Sequence, residues 1–359
     1  MLSAASWTYS LVQYPKGLDR IARGIGRRLA KSVSLFGGDT LPTAAAIAHN
    51  PLVCGLIKAA RHVPADLYIA HYLAALPAAT QAASRTHAKL GFDAEDFHSG
   101  DLSDEPKNQS ELQVRRTLER TFLRRCDYVT AASPLIAKAY ADRYGIKAEP
   151  VLNVFPLSQA SPLARQAADR KAKEVSVYWF SQTISTGRGL ETAVEALRDT
   201  SPDVHLYLRG SPALGFAEVL LSIARRYGVE RQLHFLERAH ADDMVRLAAQ
   251  YDIGLSTELR QPLNRDICLT NKLFTYLLAG IPQIMTSTQA QAMIANDLGD
   301  AVQVVALDDP TGLSQAINHW ASRPECLNQA KATATRLSQE RYNWEVEKLK
   351  LLEIVRRVI

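Results

Sequence analysis

Short apolar runs that read as β-strands alternate with helical segments along this chain, in two separate series. Such alternation makes the strands parallel, because each helix carries the chain back to the start of the next strand. Parallel strands are covered on both faces, so they are apolar throughout rather than at every second residue. The first series is Ala65–His71, a helix over 73–84, Lys89–Asp93, a helix over 111–125, Tyr128–Ala132 and Pro150–Val154. Within it Ser133-Pro134 opens a helix as N-cap and first-turn proline. The second series is Val175–Phe180, a helix over 190–197, His205–Leu208, Leu233–Leu236, Ile253–Ser256, Gln283–Thr286 and Gln303–Val305. Between them, Phe155 to Lys173 is rich in Ser, Pro, Ala and charge and reads as a linker. At 359 residues the chain is also long for one core. These observations predict an α/β protein with two Rossmann-like parallel-sheet domains, residues 1–155 and 174–331, and a cleft between them. Residues 156–173 form the linker, and 332–359 a long amphipathic helix.

A hydrophobic content of 47% and a charged content of 22% describe an ordinary globular protein. No apolar run approaches the ~18 residues that cross a bilayer. The N-terminus lacks a charged segment followed by an apolar one, so no signal peptide is predicted. Cys54, Cys126, Cys268 and Cys326 are scattered without CxxC spacing, which suggests neither zinc nor disulfides and is consistent with a cytoplasmic location. Charge is concentrated near the N-terminus, where Lys16, Arg20, Arg23, Arg27, Arg28 and Lys31 face Asp19 alone, a local surplus of +5. Leu18, Ile21, Ala22, Ile25 and Leu29 recur there at helical spacing. This basic amphipathic helix either packs its apolar stripe on the protein or makes peripheral contact with an anionic membrane through residues 16–31. Nucleic acid is not indicated, because aromatic interleaving and a recognised binding module are missing.

Ligands of open α/β sheets bind at the carboxyl ends of the strands. In the second series those positions are rich in phosphate-binding types. Val175–Phe180 is followed by Ser181-Gln182-Thr183-Ile184-Ser185-Thr186-Gly187-Arg188-Gly189, whose glycines admit a close backbone approach and whose Arg188 offers a planar fork. His205–Leu208 is followed by Arg209-Gly210-Ser211, and the loop from Glu258 to Thr270 carries Arg260, Arg265 and Asp266. Thr270-Asn271-Lys272-Leu273-Phe274-Thr275-Tyr276 then opens a short helix that stops at Gly280 before Pro282 and a buried strand. Lys272 falls in its first turn, where free N–H groups and the helix dipole already favour an anion. These loops converge on one sheet edge and point to a diphosphate. In the first series His71-Tyr72 follow one strand and Asp93-Ala94-Glu95-Asp96-Phe97-His98-Ser99-Gly100-Asp101 the next. Carboxylates with histidine at a strand end serve as general base, bind sugar hydroxyls, or form a solvated acidic loop. A metal set of His98 with Asp96 or Asp101 lacks a third well-spaced ligand, so no metal site is assigned.

Taken together, these segments resemble the GT-B glycosyltransferases, in particular the retaining family 4 group, from about Ala65 to the C-terminus. Cys126-Asp127-Tyr128-Val129-Thr130-Ala131-Ala132-Ser133-Pro134 resembles that family's "aD.vi..S" segment, and Asn153 its asparagine at the end of the first domain. Gly187-Arg188-Gly189-Leu190 is similar to its "KGl" turn, with arginine in place of lysine. Asn271-Lys272-Leu273-Phe274-Thr275-Tyr276-Leu277-Leu278-Ala279-Gly280-Ile281-Pro282 is similar to "nKlfEYlaaGlPvv", and Tyr342-Asn343-Trp344-Glu345 to the "y.We" start of the last helix. The resemblance implies transfer of a hexosyl group from a nucleotide-diphosphate sugar, a co-substrate rather than a cofactor, without a bound metal. Carried over by position, it implies that Arg188 and Lys272 hold the diphosphate; with Gln182, Thr183, Gly187, Arg209, Gly210, Thr270, Asn271 and Thr275 from the same strand-end loops and helix start they make up the donor-binding candidates. His71 and Tyr72 fall on the acceptor side, Glu95, Asp96 and His98 are the catalytic candidates, and the acceptor is an unidentified glycan or lipid-linked molecule. The last helix is expected to return to the first domain, and the pathway to be polysaccharide or glycolipid assembly. Two positions depart from the pattern. The acid that contacts the donor ribose falls at Thr275, and its partner acid falls at Ile267, beside Asp266. The family's first βα unit has no clear counterpart before Ala65, with Ser32–Gly38 as the nearest candidate, so the first domain is expected to be incomplete. A non-catalytic relative that binds a nucleotide sugar as a partner subunit is the alternative, and a nucleotide-sugar epimerase a third reading.

Overall fold

The computed structural model describes residues 11–14, 16–37, 42–160 and 174–359. Most of the linker, 161–173, and Gly38 of the Ser32–Gly38 candidate therefore lie outside the described residues. The chain divides into two compact units, residues 1–151 with 351–359, and residues 152–350.

The first unit holds helices α1 (Gly17–Gly37), α2 (Pro42–His49), α3 (Val53–Ala60), α4 (Leu76–Thr86), α5 (Gln109–Phe122) and α6 (Pro134–Tyr144). Its strands are β1 (Leu67–Ala70), β2 (Lys89–Ala94), β3 (Tyr128–Ala131) and β4 (Ala148–Pro150). They form one parallel sheet in the order β1-β2-β3-β4. The Ser133 side chain accepts the backbone N–H groups of Leu135 and Ile136, Pro134 follows, and Gly145 ends α6 in the left-handed region. The fourth strand is shifted from the predicted Pro150–Val154, because pairing with β3 ends at Pro150. Ser32 to Gly37 is the end of α1 rather than a strand.

The second unit is built on β5 (Val175–Ile184), β6 (Val204–Pro212), β7 (Leu233–Leu236), β8 (Ile253–Ser256), β9 (Gln283–Thr286) and β10 (Val302–Val305). Between and after them run α7 (Leu190–Ala196), α8 (Phe216–Tyr227), α9 (Met244–Ala248), α10 (Leu263–Ile267), α11 (Asn271–Leu278), α12 (Gln289–Leu298), α13 (Pro310–Ala321), α14 (Pro324–Glu340) and α15 (Trp344–Arg356), whose residues from Leu351 onward belong to the first unit. The sheet order is β10-β9-β8-β5-β6-β7, all parallel. The chain enters at β5, winds outward through β6 and β7, then returns to the other side of β5 with β8. That reversal leaves a crevice at the carboxyl ends of β5 and β8, the switch point at which such sheets bind ligands.

Both faces of this sheet are apolar, as parallel strands require. Val177, Trp179, Leu206, Leu208, Leu255 and Ile284 pack in one core with α7, α8 and α13. Tyr178, Tyr251, Tyr276 and Ile281 form the other. Tyr276 fixes α11 to the sheet, its hydroxyl lying 2.9 Å from Tyr178 O and 3.2 Å from Leu255 O. The ring fits because β8 carries Gly254 beneath it, where a Cβ would meet ring atoms at 2.5 Å.

The predicted single helix over 332–359 is two helices. Asn343 causes the break: its Nδ2 donates to Ser338 O and Gln339 O, and its Oδ1 accepts the Val346 N–H. One buried amide thus ties off α14 and caps α15.

Gly254→Ala forces the Tyr276 ring off the sheet and should lower stability by ~1–3 kcal/mol, the usual cost of overpacking. Urea unfolding checks this; an unchanged midpoint would contradict the packing of α11.

Candidate active site

Three loops meet at the carboxyl ends of β5 and β8. After β5 the chain turns through Gly187 and Gly189, both at positive φ (71° and 65°). A Cβ at Gly189 would sit 2.8 Å from Thr257 Cβ, so glycine is what lets this turn lie against the loop after β8. Thr257 Oγ1 donates to Arg188 O at 2.6 Å, and Arg265 donates to Gly187 O. These backbone contacts hold Arg188 in place.

The centre of the arrangement is a carboxylate that sequence reading passed over. Glu258 Oε1 accepts from Lys272 Nζ at 2.6 Å, while Oε2 accepts from Arg188 Nη1 at 3.4 Å. Lys272 also stands 5.4 Å above the Trp179 ring. The Glu258 side chain is 2% exposed, that of Lys272 8%, and that of Arg188 28%. Burial pushes the Glu258 carboxyl up, but Lys272, Arg188 and Arg265 outweigh it, and its pKa falls below the usual carboxylate range. The arrangement carries more positive charge than Glu258 neutralises. Arg188 Nε is buried with no hydrogen-bond partner, and Arg188 is the more accessible of the two cations.

Beside this cluster lies a cavity of about 490 Å³ within the second unit. Its wall includes Phe155, which precedes the linker, Phe180, Ser181 and Gln182 from β5, Arg209 from β6, Arg238 and His240 after β7, and Asn271 and Thr275 from α11. The β5–β6 register slips between Phe180 and Thr183, and that irregularity opens the wall at Ser181 and Gln182. Arg209 is braced, its Nε donating to Tyr178 Oη at 2.9 Å and its Nη1 to Glu237 O at 2.8 Å. Thr275 Oγ1 is buried in this wall without a partner. No carboxylate lines the cavity among the described residues.

The structure thus gathers the sequence-derived donor residues into two neighbouring groups. Arg188 and Lys272, with Gly187 in the turn, meet at Glu258. Gln182, Arg209, Asn271 and Thr275 line the cavity. Thr183 is spent on pairing with Ser211, Gly210 lets β6 pass close to Ser181 O, and Thr270 precedes α11 without a side-chain cap bond. Asp266 is committed elsewhere, accepting the Gln289 backbone N–H at 2.8 Å and its Nε2 at 2.6 Å at the start of α12. Arg238 was missed, and His240, which reads as structural in the sequence, lines the wall with it although both follow β7. Glu258 opens the loop in which the sequence marked only Arg260, Arg265 and Asp266.

The first unit presents a second group at the carboxyl ends of β1 and β2. His71 Nδ1 lies 3.1 Å from Asp93 Oδ2, and Thr130 Oγ1 donates to Asp93 Oδ1 at 2.7 Å. The Asp93 hydrogen bond raises the His71 pKa. Burial and the nearby Asp93 charge raise that of Glu95. His71, Asp93 and Glu95 are the only His, Cys, Asp or Glu trio among the described residues whose ligand atoms lie within 4.8 Å of one another. Tyr72 is half exposed beside them.

His98, expected from the sequence to be catalytic, is 2% exposed in a 3-10 turn (His98–Gly100), against Tyr72 and Phe92. Burial, with Arg115 and His49, lowers its pKa to about 3, so its ring is neutral and faces packed side chains. The turn is held by α5: Arg115 Nη1 donates to His98 O, and buried Glu119 accepts the Ser99 N–H. The Asp96 carbonyl accepts from Tyr140 Oη at 3.0 Å, which places the Asp96 backbone in this frame, while Glu95 stays exposed.

Removing Glu258 would strand a buried ammonium. Glu258→Ala should cost ~3–5 kcal/mol in urea unfolding, and Glu258→Ala with Lys272→Met should recover most of it. Because the folded pKa is depressed, this contribution is present above the ordinary carboxylate pKa and is lost as pH falls below it. A loss below 1 kcal/mol for the single variant would contradict the assigned pairing.

No protein-family model and no curated sequence matches this chain. Solved structures do. HepE of Anabaena, in complex with UDP, aligns at a TM-score of 0.69 and 20% identity over 86% of this chain and 82% of that one. Sucrose-phosphate synthase of Thermosynechococcus elongatus aligns at 0.72 and 15% identity over 89% and 79%. A glycosyltransferase of Rickettsia africae aligns at 0.66 and 13% identity over 94% of both chains. These neighbours are GT-B glycosyltransferases, and the two parallel-sheet units described above have that fold.

Proposed function

We propose that this protein is a glycosyltransferase that binds a nucleotide-diphosphate sugar in its second unit and an acceptor in its first. The observation that carries this reading is the meeting of Arg188 and Lys272 on one buried carboxylate, beside a cationic cavity with a partnerless hydroxyl at Thr275. A nucleoside fits the cavity and its diphosphate the adjoining cations. HepE, which binds UDP, and the other neighbours support the same reading.

The chemistry follows from the charges. When the bond between the sugar and the diphosphate breaks, negative charge grows on the leaving phosphate oxygen. The Arg188 backbone is held by Thr257 and its guanidinium is paired with Glu258, so it meets that charge without rearranging. One such contact is commonly worth ~3 kcal/mol in the transition state. Lys272, buried under Glu258, acts mainly by fixing the carboxylate and adding field.

The acceptor belongs to cell-surface polysaccharide or glycolipid assembly in this reading, which the surface of α1 supports. Ile25, Leu29 and Val33 recur every fourth residue and are exposed, with Arg28 and Lys31 on the same helix. Arg27 is engaged with the protein, its Nε donating to Ala48 O at 2.7 Å. An exposed apolar stripe flanked by cations matches an anionic bilayer surface. Among the described residues no helix is long and apolar enough to cross a membrane.

Arg188→Ala should weaken binding of a nucleoside diphosphate by ~1–3 kcal/mol, and Arg238→Ala by a similar amount, in calorimetric titrations. Unchanged affinity in both would reject the donor site. Vesicles containing phosphatidylglycerol should sediment the protein at low salt and release it at high salt. Leu29→Glu should abolish that sedimentation, and retention of the variant would remove α1 from the contact.

A further inference from the structure

The charges around the cavity of the second unit bear on which nucleotide it takes. A nucleotide's sugar ring is bonded directly to its diphosphate. With the diphosphate on Arg188 and Lys272, that ring lies against the start of α11. Asn271 and Thr275, four residues apart on one face of α11, are the helix's contribution to the cavity wall. Nucleotide-binding α/β sheets commonly hold the ribose 2′-hydroxyl with an Asp or Glu. Here no carboxylate lines the cavity among the described residues. Glu258 is paired with Lys272 and Arg188, and Asp242 lies 3.3 Å from His240 Nδ1. Thr275 offers a neutral side chain, 1% exposed, whose hydroxyl has no partner. The two arginines of the wall stand at the ends of β6 and β7, across β5 from the β8 side where α11 packs. They fall at the base end of the cavity.

We infer that this site does not read the 2′-hydroxyl, and that it takes deoxyribonucleoside diphosphates, and the sugars carried on them, on equal terms with the ribonucleoside forms. The inference rests on the glycosyltransferase reading and names the donor class of its site. The physical reason lies in what a missing hydroxyl leaves behind. A buried carboxylate aimed at a ribose hydroxyl is stranded when a deoxy ligand binds, and that penalty rejects the ligand. Thr275 has no charge to strand, and its hydroxyl is already without a partner in the free protein. The most it returns to a ribose is an ordinary neutral hydrogen bond, about half as strong as one to a carboxylate. Arg209 and Arg238 carry donors only, which suit the carbonyl oxygens of a base. Thr275 is therefore the position that sets this tolerance, and a carboxylate there would remove it.

The test is calorimetric titration of the full chain with UDP and dUDP, ADP and dADP, and GDP and dGDP, and the pair that binds tightest decides. Its deoxy member should bind within about tenfold of its ribo member, the span of one neutral hydrogen bond. A larger preference for the ribo member overturns the inference and leaves the donor reading standing. A chain that binds none of these nucleotides overturns the donor reading itself. Thr275→Glu supplies the absent carboxylate and should move the ratio of the two affinities toward the ribo member by about tenfold or more. Its added charge weakens both members through the diphosphate they share, so that effect cancels from the ratio. Thr275→Asp is measured beside it as the shorter side chain, with circular dichroism to establish that each variant is folded. A ratio that stays at the wild-type value in folded variants that still bind overturns the placement of the sugar ring against α11, and the inference with it.

Discussion

One buried carboxylate organises the nucleotide side of this protein. Glu258 follows β8 directly, and β8 lies beside β5 because the sheet reverses its winding there. That reversal brings the turn after β5 and the start of α11 to the same spot. Their cations would repel one another, and an ammonium as buried as that of Lys272 would be too costly to keep charged, without a negative partner. Glu258 supplies it, and its carboxyl stays ionised despite burial because two guanidiniums and one ammonium surround it. The neighbouring parts follow: the glycine turn that presses on Thr257, the Arg188 backbone held by that threonine, and α11 seated on Gly254 through Tyr276.

Much of the architecture was legible in the chain. Apart from β4, which is shifted to Ala148–Pro150, the strands of both series lie where apolar runs placed them, since a strand buried on two faces announces itself without any partner being known. Ser133-Pro134 opens α6 and Gly280 closes α11 for local reasons of capping and backbone freedom. The break in the last helix was not legible. It depends on where Asn343 sends its amide, and nothing in the local periodicity reveals that. Arg188 and Lys272 stood out because cations beside glycines and helix starts mark anion sites. Glu258 did not, because a single acid in a loop of mixed charge acquires meaning only once the loop is folded onto two cations.

The two histidines of the first unit show the same limit. His71 and His98 both follow strands, and sequence alone favoured the one amid more carboxylates. What separates them is direction. His98 lies in a tight turn clamped from below by Arg115 and Glu119 of α5, which folds its ring inward. His71 stops at the end of β1, opposite a carboxylate already fixed by Thr130. Buried and exposed imidazoles at one edge thus divide the work, one packing the loop and the other open to a ligand.

The account turns on Arg188 and Lys272 forming one electrostatic site next to the cavity walled by Thr275. A crystal structure of the complex with UDP tests that most directly. The account predicts diphosphate oxygens within hydrogen-bonding distance of the Arg188 guanidinium and the nucleoside inside the cavity against α11. A diphosphate bound away from Arg188, or a nucleoside outside that cavity, would contradict it.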